Sequence, residues 1–195
     1  MSDLPAAVAD HFFNPRNIGD AEWPSFEGRS ASLICGGHVR FSIQVDEAQV
    51  VSQARFRAAG CTVLVASASL LTEKVVNVPT AEAAMIGQDT GALRSNFPSL
   101  EPGREHCPKL ACDALLAAIR EFSDAARDEW IGDEALICTC FFVSERTIEN
   151  EISTRGLTTV ADVTRVCNAG GGCGSCHQLI QEILDTSRTD IPVCP

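Results

Sequence analysis

Between residues 39 and 45 apolar and polar side chains alternate, Val39-Arg40-Phe41-Ser42-Ile43-Gln44-Val45. That two-residue period predicts a strand with one face in a core. Residues 46–49 predict a polar turn, and residues 50–58 a second strand, antiparallel because the connection is short. From Thr62 the period changes. Val65, Ser69, Leu70 and Glu73 fall three or four apart, which predicts a helix over 62–76. A second helix is expected over 80–86, with Thr80 as its cap. A third is expected over 108–122, where Ala111, Leu115, Ala118, Ile119 and Phe122 make one apolar stripe and Pro108 suits the first turn.

Further on the pattern is mostly helical. Ser144 can cap a helix through Ile148 and Ile152 that Gly156 stops. Thr159 with Asp162 resembles a capping box ahead of Val160, Val163 and Val166. Residues 169–172 form a glycine-rich loop. Leu179, Ile180, Ile183 and Leu184 mark a last amphipathic helix, frayed beyond Thr186. The expected class is therefore α+β: a small antiparallel sheet packed by helices, then a small, mostly helical unit. Residues 123–134 are rich in acids and free of cysteine, the composition of a solvated connector. The expected division is a first domain at 1–126, a linker at 127–135, a second domain at 136–186 and a flexible tail at 187–195.

Composition narrows the function. At 195 residues and 45 % hydrophobic content the chain can bury a core, while 21 % charged residues argue against wholesale disorder. A net charge of −11, only 6 % aromatics and no Tyr remove the electrostatic and stacking footprint of a nucleic-acid binder. The same charge repels anionic membranes. The first ten residues have no basic or apolar leader character, and the longest mostly apolar run, 62–71, carries two serines. A cytoplasmic protein is expected. Ten cysteines in a reducing compartment point to metal binding or catalysis rather than to disulfides.

The sharpest signal is Cys138-Thr139-Cys140 with Cys173-Gly174-Ser175-Cys176. Each pair can chelate one metal atom with two thiolates. Zinc sites normally use two to four intervening residues in both halves. The tight C-x-C half suits a two-iron cluster at least as well, and Gly170-Gly171-Gly172 lets backbone N–H groups approach bridging sulfides. A zinc knuckle is the alternative. Such a staple is what a unit of about 50 residues needs. Cys167 reads as a small buried residue, Cys194 as a spectator, and His177 as a supporting or capping group.

Cys35, Cys61 and Cys107 are far apart, yet each sits just before a predicted element, where a scaffold places reactive groups. Helix N-termini are expected to lower the pKa of Cys61 and Cys107. With His106 alongside, the three thiolates would bind iron, zinc or a nascent cluster; otherwise they are three unrelated buried cysteines. Cys112 lies about 500° around the helix from Cys107 and reads as core filling. His11 and His38 have no evident partner.

At these residues the chain resembles a known family. His11-Phe12-Phe13-Asn14-Pro15-Arg16-Asn17-Ile18-Gly19, Cys35-Gly36, Gly60-Cys61, Ala66-Ser67-Ala68-Ser69-Leu70-Leu71-Thr72-Glu73 and His106-Cys107 resemble the IscU/NifU-type iron–sulfur cluster scaffold. Ile137-Cys138-Thr139-Cys140-Phe141 and Ala169-Gly170-Gly171-Gly172-Cys173-Gly174-Ser175-Cys176-His177 resemble the bacterioferritin-associated-ferredoxin-like domain in the middle of NifU. The resemblance implies a homodimeric scaffold rather than an enzyme. It would take sulfur from a cysteine desulfurase, build a transient cluster on Cys35, Cys61 and Cys107, and pass it to apo iron–sulfur proteins. A permanent, redox-active [2Fe–2S] cluster would sit on Cys138, Cys140, Cys173 and Cys176. In NifU such scaffolds serve nitrogenase maturation.

Four departures bear on that expectation. Gly37 stands where the scaffold family usually has an Asp ligand. Pro108 replaces a serine, and the chaperone motif is reduced to Leu100-Glu101-Pro102. The third, C-x-x-C-bearing domain of NifU has no counterpart here. With Gly37 unable to coordinate, the fourth position of the first site falls to His106, His38, water or a partner thiolate. His106, beside Cys107, is the expected donor. An electron carrier with a zinc-bound or empty first domain, or an iron- or sulfur-responsive regulator, are the competing functions.

Overall fold

The computed structural model describes residues 5–97, 100, 103–129 and 135–189. The chain divides into two compact units between Phe122 and Ser123. The first is built on three antiparallel strands, β1 (Phe26–Ala31), β2 (His38–Val45) and β3 (Val51–Ala59), in that order across the sheet. The alternation expected for β2 is present: Val39, Phe41 and Ile43 are buried, as are their neighbours Ala54 and Phe56 on β3. Register pairs Phe41 with Phe56 and Ile43 with Ala54. The β2–β3 turn is closed by the Asp46 carboxylate, which accepts from the N–H groups of Ala48 and Val50 at 3.0 and 2.9 Å.

Helices cover the apolar face of this sheet. They are α1 (Ala6–Phe13), α2 (Thr62–Val75), α3 (Thr80–Gln88), α4 (Thr90–Ser95) and the long α5 (Cys107–Glu129). In α2, Leu64, Ala68, Leu71 and Val75 are buried; in α5, Ala111, Ala114, Leu115 and Ala118 are. The expected stripe on α5 is correct in phase, and the helix runs further, into the acid-rich segment. Thr80 does not cap α3. Pro79 holds that position and no side chain caps it, while the Thr80 N–H donates to the Gln49 carbonyl at 2.9 Å and ties the helix start to the β2–β3 turn. Sequence periodicity also missed α1, α4 and β1. In β1 the inward positions are Phe26, Gly28 and Ser30, too weak an alternation to read.

The stretch from His11 to Gly19 is structural. His11 Nδ1 lies 3.0 Å from the Ser69 hydroxyl, which also accepts from the Arg16 N–H at 2.9 Å. The Asn17 amide donates to Thr72 Oγ1 at 3.1 Å, and Gly19 N–H to the Phe56 carbonyl at 2.9 Å. The segment is thereby laced to α2 and β3, and burial holds the His11 imidazole below its usual pKa.

The second unit has a short hairpin of β4 (Leu136–Cys138) and β5 (Val143–Ser144), then α6 (Glu145–Arg155), α7 (Val160–Cys167) and α8 (His177–Thr189). Its caps are those the sequence predicts. Ser144 accepts from the Thr147 N–H, Thr159 from the Asp162 N–H, and Gly156 ends α6 at φ 63°. Ile148, Val163, Ile180 and Leu184 form its core. Helix α8 continues past Thr186 to Thr189. Cys194, Glu101, Pro102 and residues 130–134 lie outside the described residues.

Gly28 is where sheet and α5 meet most closely. A Cβ there would stand 2.0 Å from the Ala114 carbonyl oxygen and 2.2 Å from the Ala118 nitrogen. Both obstacles are backbone, so strand and helix would have to separate. Gly28→Ala is expected to destabilise the first unit by about 1–3 kcal/mol, read as a lower urea midpoint at unchanged slope.

Candidate metal centres

The β1–β2 connection is a tight loop stapled by its backbone. Ser32 N–H donates to the Gly37 carbonyl at 2.8 Å and Gly36 N–H to the Ser32 carbonyl at 2.9 Å, with Gly36 at φ 70°. It lifts Cys35 into solvent at the end of the sheet. Cys61 leaves β3 at the same end and is the N-cap residue of α2. Cys107 is the first residue of α5. Gly60 and Gly37 let these pieces approach: a Cβ on Gly60 would meet the Leu64 Cδ2 at 2.8 Å and the Gly37 Cα at 3.2 Å.

The fold therefore brings together four residues that are up to 72 positions apart, from Cys35 to Cys107. Cys35 Sγ lies 3.1 Å from His106 Nε2, that nitrogen 3.9 Å from Cys107 Sγ, and Cys107 Sγ 3.2 Å from Cys61 Sγ. The donors form a chain of contacts along one edge. Among the described residues no three His, Cys, Asp or Glu groups are set as a closed cage for a single ion. His38 is exposed on β2, and Gly37 offers no donor; a side chain there would start 3.3 Å from Cys35 Sγ.

The thiols differ in acidity. Hydrogen bonds from Ser32 and then His106 hold Cys35 down at about 7. Burial opposes ionisation of Cys61, yet hydrogen bonds from Cys107, the Leu64 N–H and Arg104 bring it below the ordinary thiol value. Cys107 departs from the expectation for a helix N-terminus. Its thiol is 1 % exposed, and burial, together with its bond to Cys61, pushes it up to about 12. Desolvation outweighs the helix dipole here. Ser32 and Arg104 were not singled out from the sequence. A serine three residues before Cys35 was the available signal for Ser32.

In the second unit, Cys138 ends β4, Cys140 lies in the following turn, and Cys173 and Cys176 lead into α8. Cys140 Sγ is 3.4 Å from Cys173 Sγ, and Cys138 is bonded to Cys176. Cys138 and Cys176 are buried, while Cys173 is exposed. Hydrogen bonding by Ser175 draws Cys173 down to about 7, and burial pushes Cys176 up to about 12 and raises Cys140.

The donor set, four thiols in two pairs, fits a two-iron, two-sulfide cluster, and the Ser175 hydroxyl lies 3.0 Å from Cys173 Sγ. The cradle fits as well. A Cβ on Gly172 would strike the Cys140 Cβ and Sγ at 2.8 and 2.9 Å, so only glycine leaves room beside that sulfur. His177 donates from Nε2 to the Gly170 carbonyl at 2.7 Å, holding the loop. Cys167 is half-buried, donates to the Val163 carbonyl at 3.2 Å and is raised by burial.

Two thiol centres on an α+β chain, one edge-exposed and one clasped by a glycine loop, define an iron–sulfur protein class. Residues 5–128 match the NifU-like N terminal domain and residues 136–186 the BFD-like [2Fe-2S] binding domain. The chain belongs to the NifU family. It is 32 % identical over 186 residues to the nitrogen fixation protein NifU of Azotobacter chroococcum, an alignment covering 94 % of this chain and 59 % of that one. It is 36 % identical over 118 residues to the iron–sulfur cluster assembly scaffold protein IscU of Azotobacter vinelandii, covering 59 % of this chain and 90 % of that one. The chain thus spans about 59 % of the length of its NifU relative. The fold of the first unit is shared with the N-terminal part of a nitrogen-fixing NifU-like protein from Brucella abortus, at TM-score 0.51 and 20 % identity, covering 62 % of this chain and 94 % of that one.

The contrast in acidity is directly measurable. At neutral pH, Cys35 at about 7 has a far larger thiolate fraction than buried Cys112, which burial pushes up to about 11. Lower intrinsic nucleophilicity offsets part of this, leaving a labelling ratio on the order of 10². Iodoacetamide should modify Cys35 first in metal-free protein, with a rate that climbs between about pH 6 and 8 and then levels off. Cys112 should stay unmodified until the first unit unfolds. Equal rates in the folded state would contradict this.

Proposed function

We propose that the chain is a scaffold on which iron–sulfur clusters are assembled and from which they are passed to apo-proteins. The observation that carries it is the contact chain Cys35–His106–Cys107–Cys61 at one exposed edge of a NifU-type fold. On this reading a cysteine desulfurase supplies sulfane sulfur. A thiolate of the edge attacks the outer sulfur of the desulfurase persulfide. A new S–S bond forms on the scaffold, the old one breaks, and the desulfurase cysteine leaves as thiolate. Cys35 is the first to meet it, being exposed and the most readily ionised of the three. Two electrons from an external one-electron carrier such as a reduced ferredoxin cleave the new S–S bond, giving sulfide and restoring the scaffold thiolate. Iron would be bound by the thiolates with His106 as the fourth donor, and the finished cluster leaves as cargo. The protein would act as a cytoplasmic homodimer, and the name of a relative, nitrogen fixation protein NifU, supports a role for it in nitrogen fixation.

In the second unit, Cys138, Cys140, Cys173 and Cys176 would hold a resident [2Fe–2S] cluster, whose chemistry is one-electron transfer. The chain's own part is to clasp it. The buried pair Cys138 and Cys176 anchors it, Gly172 admits it, and His177 fixes the loop through the Gly170 carbonyl.

Two measurements test this reading. Incubated with a cysteine desulfurase, cysteine and ferrous iron, the chain should gain iron and sulfide beyond two of each; a content fixed at two favours the electron-carrier alternative. Replacing any one of Cys138, Cys140, Cys173 or Cys176 by Ser should abolish the visible absorbance of the isolated protein and unfold the second unit, since so small a core relies on ligand binding. Cys167→Ser should leave both intact.

A further inference from the structure

The sheet face turned away from the helices is unlike the rest of this acidic chain. Arg29 pairs with Arg40 across β1 and β2, and Arg40 with Arg57 across β2 and β3. Alternation places all three opposite the buried Phe41 and Phe56. Ala31, His38 and Ala59 form the next row, and the two rows line an open groove of about 560 Å³. Strands stand roughly 4.8 Å apart, so the three guanidinium stems rise from a line of about 10 Å. Like charges directly opposite one another weaken a sheet. Exposed ion pairs, each worth little, offset only part of that cost.

Among the described residues two carboxylates reach it. Asp20 bonds Arg40 and lies 2.9 Å from Arg57; Glu27 lies 3.1 Å from Arg29 and 3.4 Å from Arg40. Three cations share two anions, so a positive excess remains, and the side chains of Arg29 and Arg57 keep 72 % and 60 % of their surface exposed. At physiological salt the Debye length is about 8 Å, so a group at this face senses the row rather than the charge of the whole chain.

We propose that the arginine row is a docking surface for an acidic helix of a partner protein. Carboxylates three or four residues apart on a helix stand about 5–6 Å apart, close to the strand spacing that sets the arginine interval. Guanidinium forks are matched to carboxylates and are enriched at interfaces. The groove is open and flat, a shape for a protein surface rather than for a small anion that must be enclosed. What the docking serves rests on the scaffold reading: β1 runs out into the Cys35 loop and β3 into Cys61, so a helix on the row stands beside the edge that would carry the cargo.

The test uses the full chain and a fluorescent helical peptide with Glu at every fourth position, followed by anisotropy. Arg29→Gln with Arg57→Gln should weaken binding at least about tenfold. Arg155→Gln, the same charge change on α6, should not. Both exchanges on the sheet relieve like-charge pairing while removing exposed ion pairs to Glu27 and Asp20, so thermal melting should move little; Arg29→Lys with Arg57→Lys keeps the charge and should weaken binding less. Equal binding by wild type and the Gln double variant overturns the proposal, as does complete displacement of the peptide by pyrophosphate at equimolar concentration, which marks a small-anion site. Cluster transfer to an acidic apo-ferredoxin separates the two readings. If wild type transfers and the double variant transfers equally, the docking surface fails and the scaffold stands. If the peptide binds through the arginines but no cluster forms, the scaffold reading fails and the docking surface stands.

Discussion

The register between β2 and β3 is the constraint on which the first unit depends. Phe41 opposite Phe56 and Ile43 opposite Ala54 place one complete face of the sheet under α2 and α5. A slip of one residue would turn Arg40 and Arg57 inward and Phe41 and Phe56 out, at a cost no small domain could absorb. Because the register is fixed by burial, the ends of the strands are fixed too. His38 opposite Ala59 brings the loop with Cys35 and the turn with Cys61 to the same edge. The first turn of α5, held by Ala111, Ala114 and Leu115 in the core, delivers His106 and Cys107 to meet them. The thiol edge is a by-product of how apolar residues are packed some 10 Å away.

The two units grade their thiols alike: in each the exposed thiol, Cys35 or Cys173, is drawn down, and burial pushes Cys107 and Cys176 up. At the first site the most acidic thiol is also the most exposed, and the most buried one, Cys107, is kept protonated by desolvation. Such an arrangement is open to an incoming sulfur at one end and anchored at the other. In the second unit Gly172 packs against Cys140 and His177 holds the Gly170 carbonyl. On the proposed reading the site beside this loop keeps its cluster and the edge site passes its cluster on.

Much of this was legible in the sequence. The strands at 38–45 and 51–59, the helix at 62–75 and the capped helices at 145–155 and 160–167 follow from periodicity and cap residues within a residue or two. The C-x-C and C-x-x-C pairs are local and could be read directly. Other features depend on tertiary context. β1 hides its alternation behind Gly28, which is glycine because the backbone of α5 passes against it. Thr80 looks like a cap, but the helix starts one residue earlier than that reading needs, with Pro79 at the cap position and Thr80 already buried inside it. The acidity of Cys107 could not be inferred from its place at a helix start, since burial is set by residues far away in the chain. Nor could the arginine row, which exists only once three strands are in register.

The central claim is that one site releases its cluster and the other retains it. It is tested most directly by loading the full chain with iron and sulfide, adding excess apo-ferredoxin and following the visible absorbance of donor and acceptor after separation. The account predicts that wild type gives up only part of its iron, and that Cys35→Ser loses the transferable part while keeping the retained one. A transferable cluster that survives in Cys35→Ser and disappears in Cys138→Ser would contradict it.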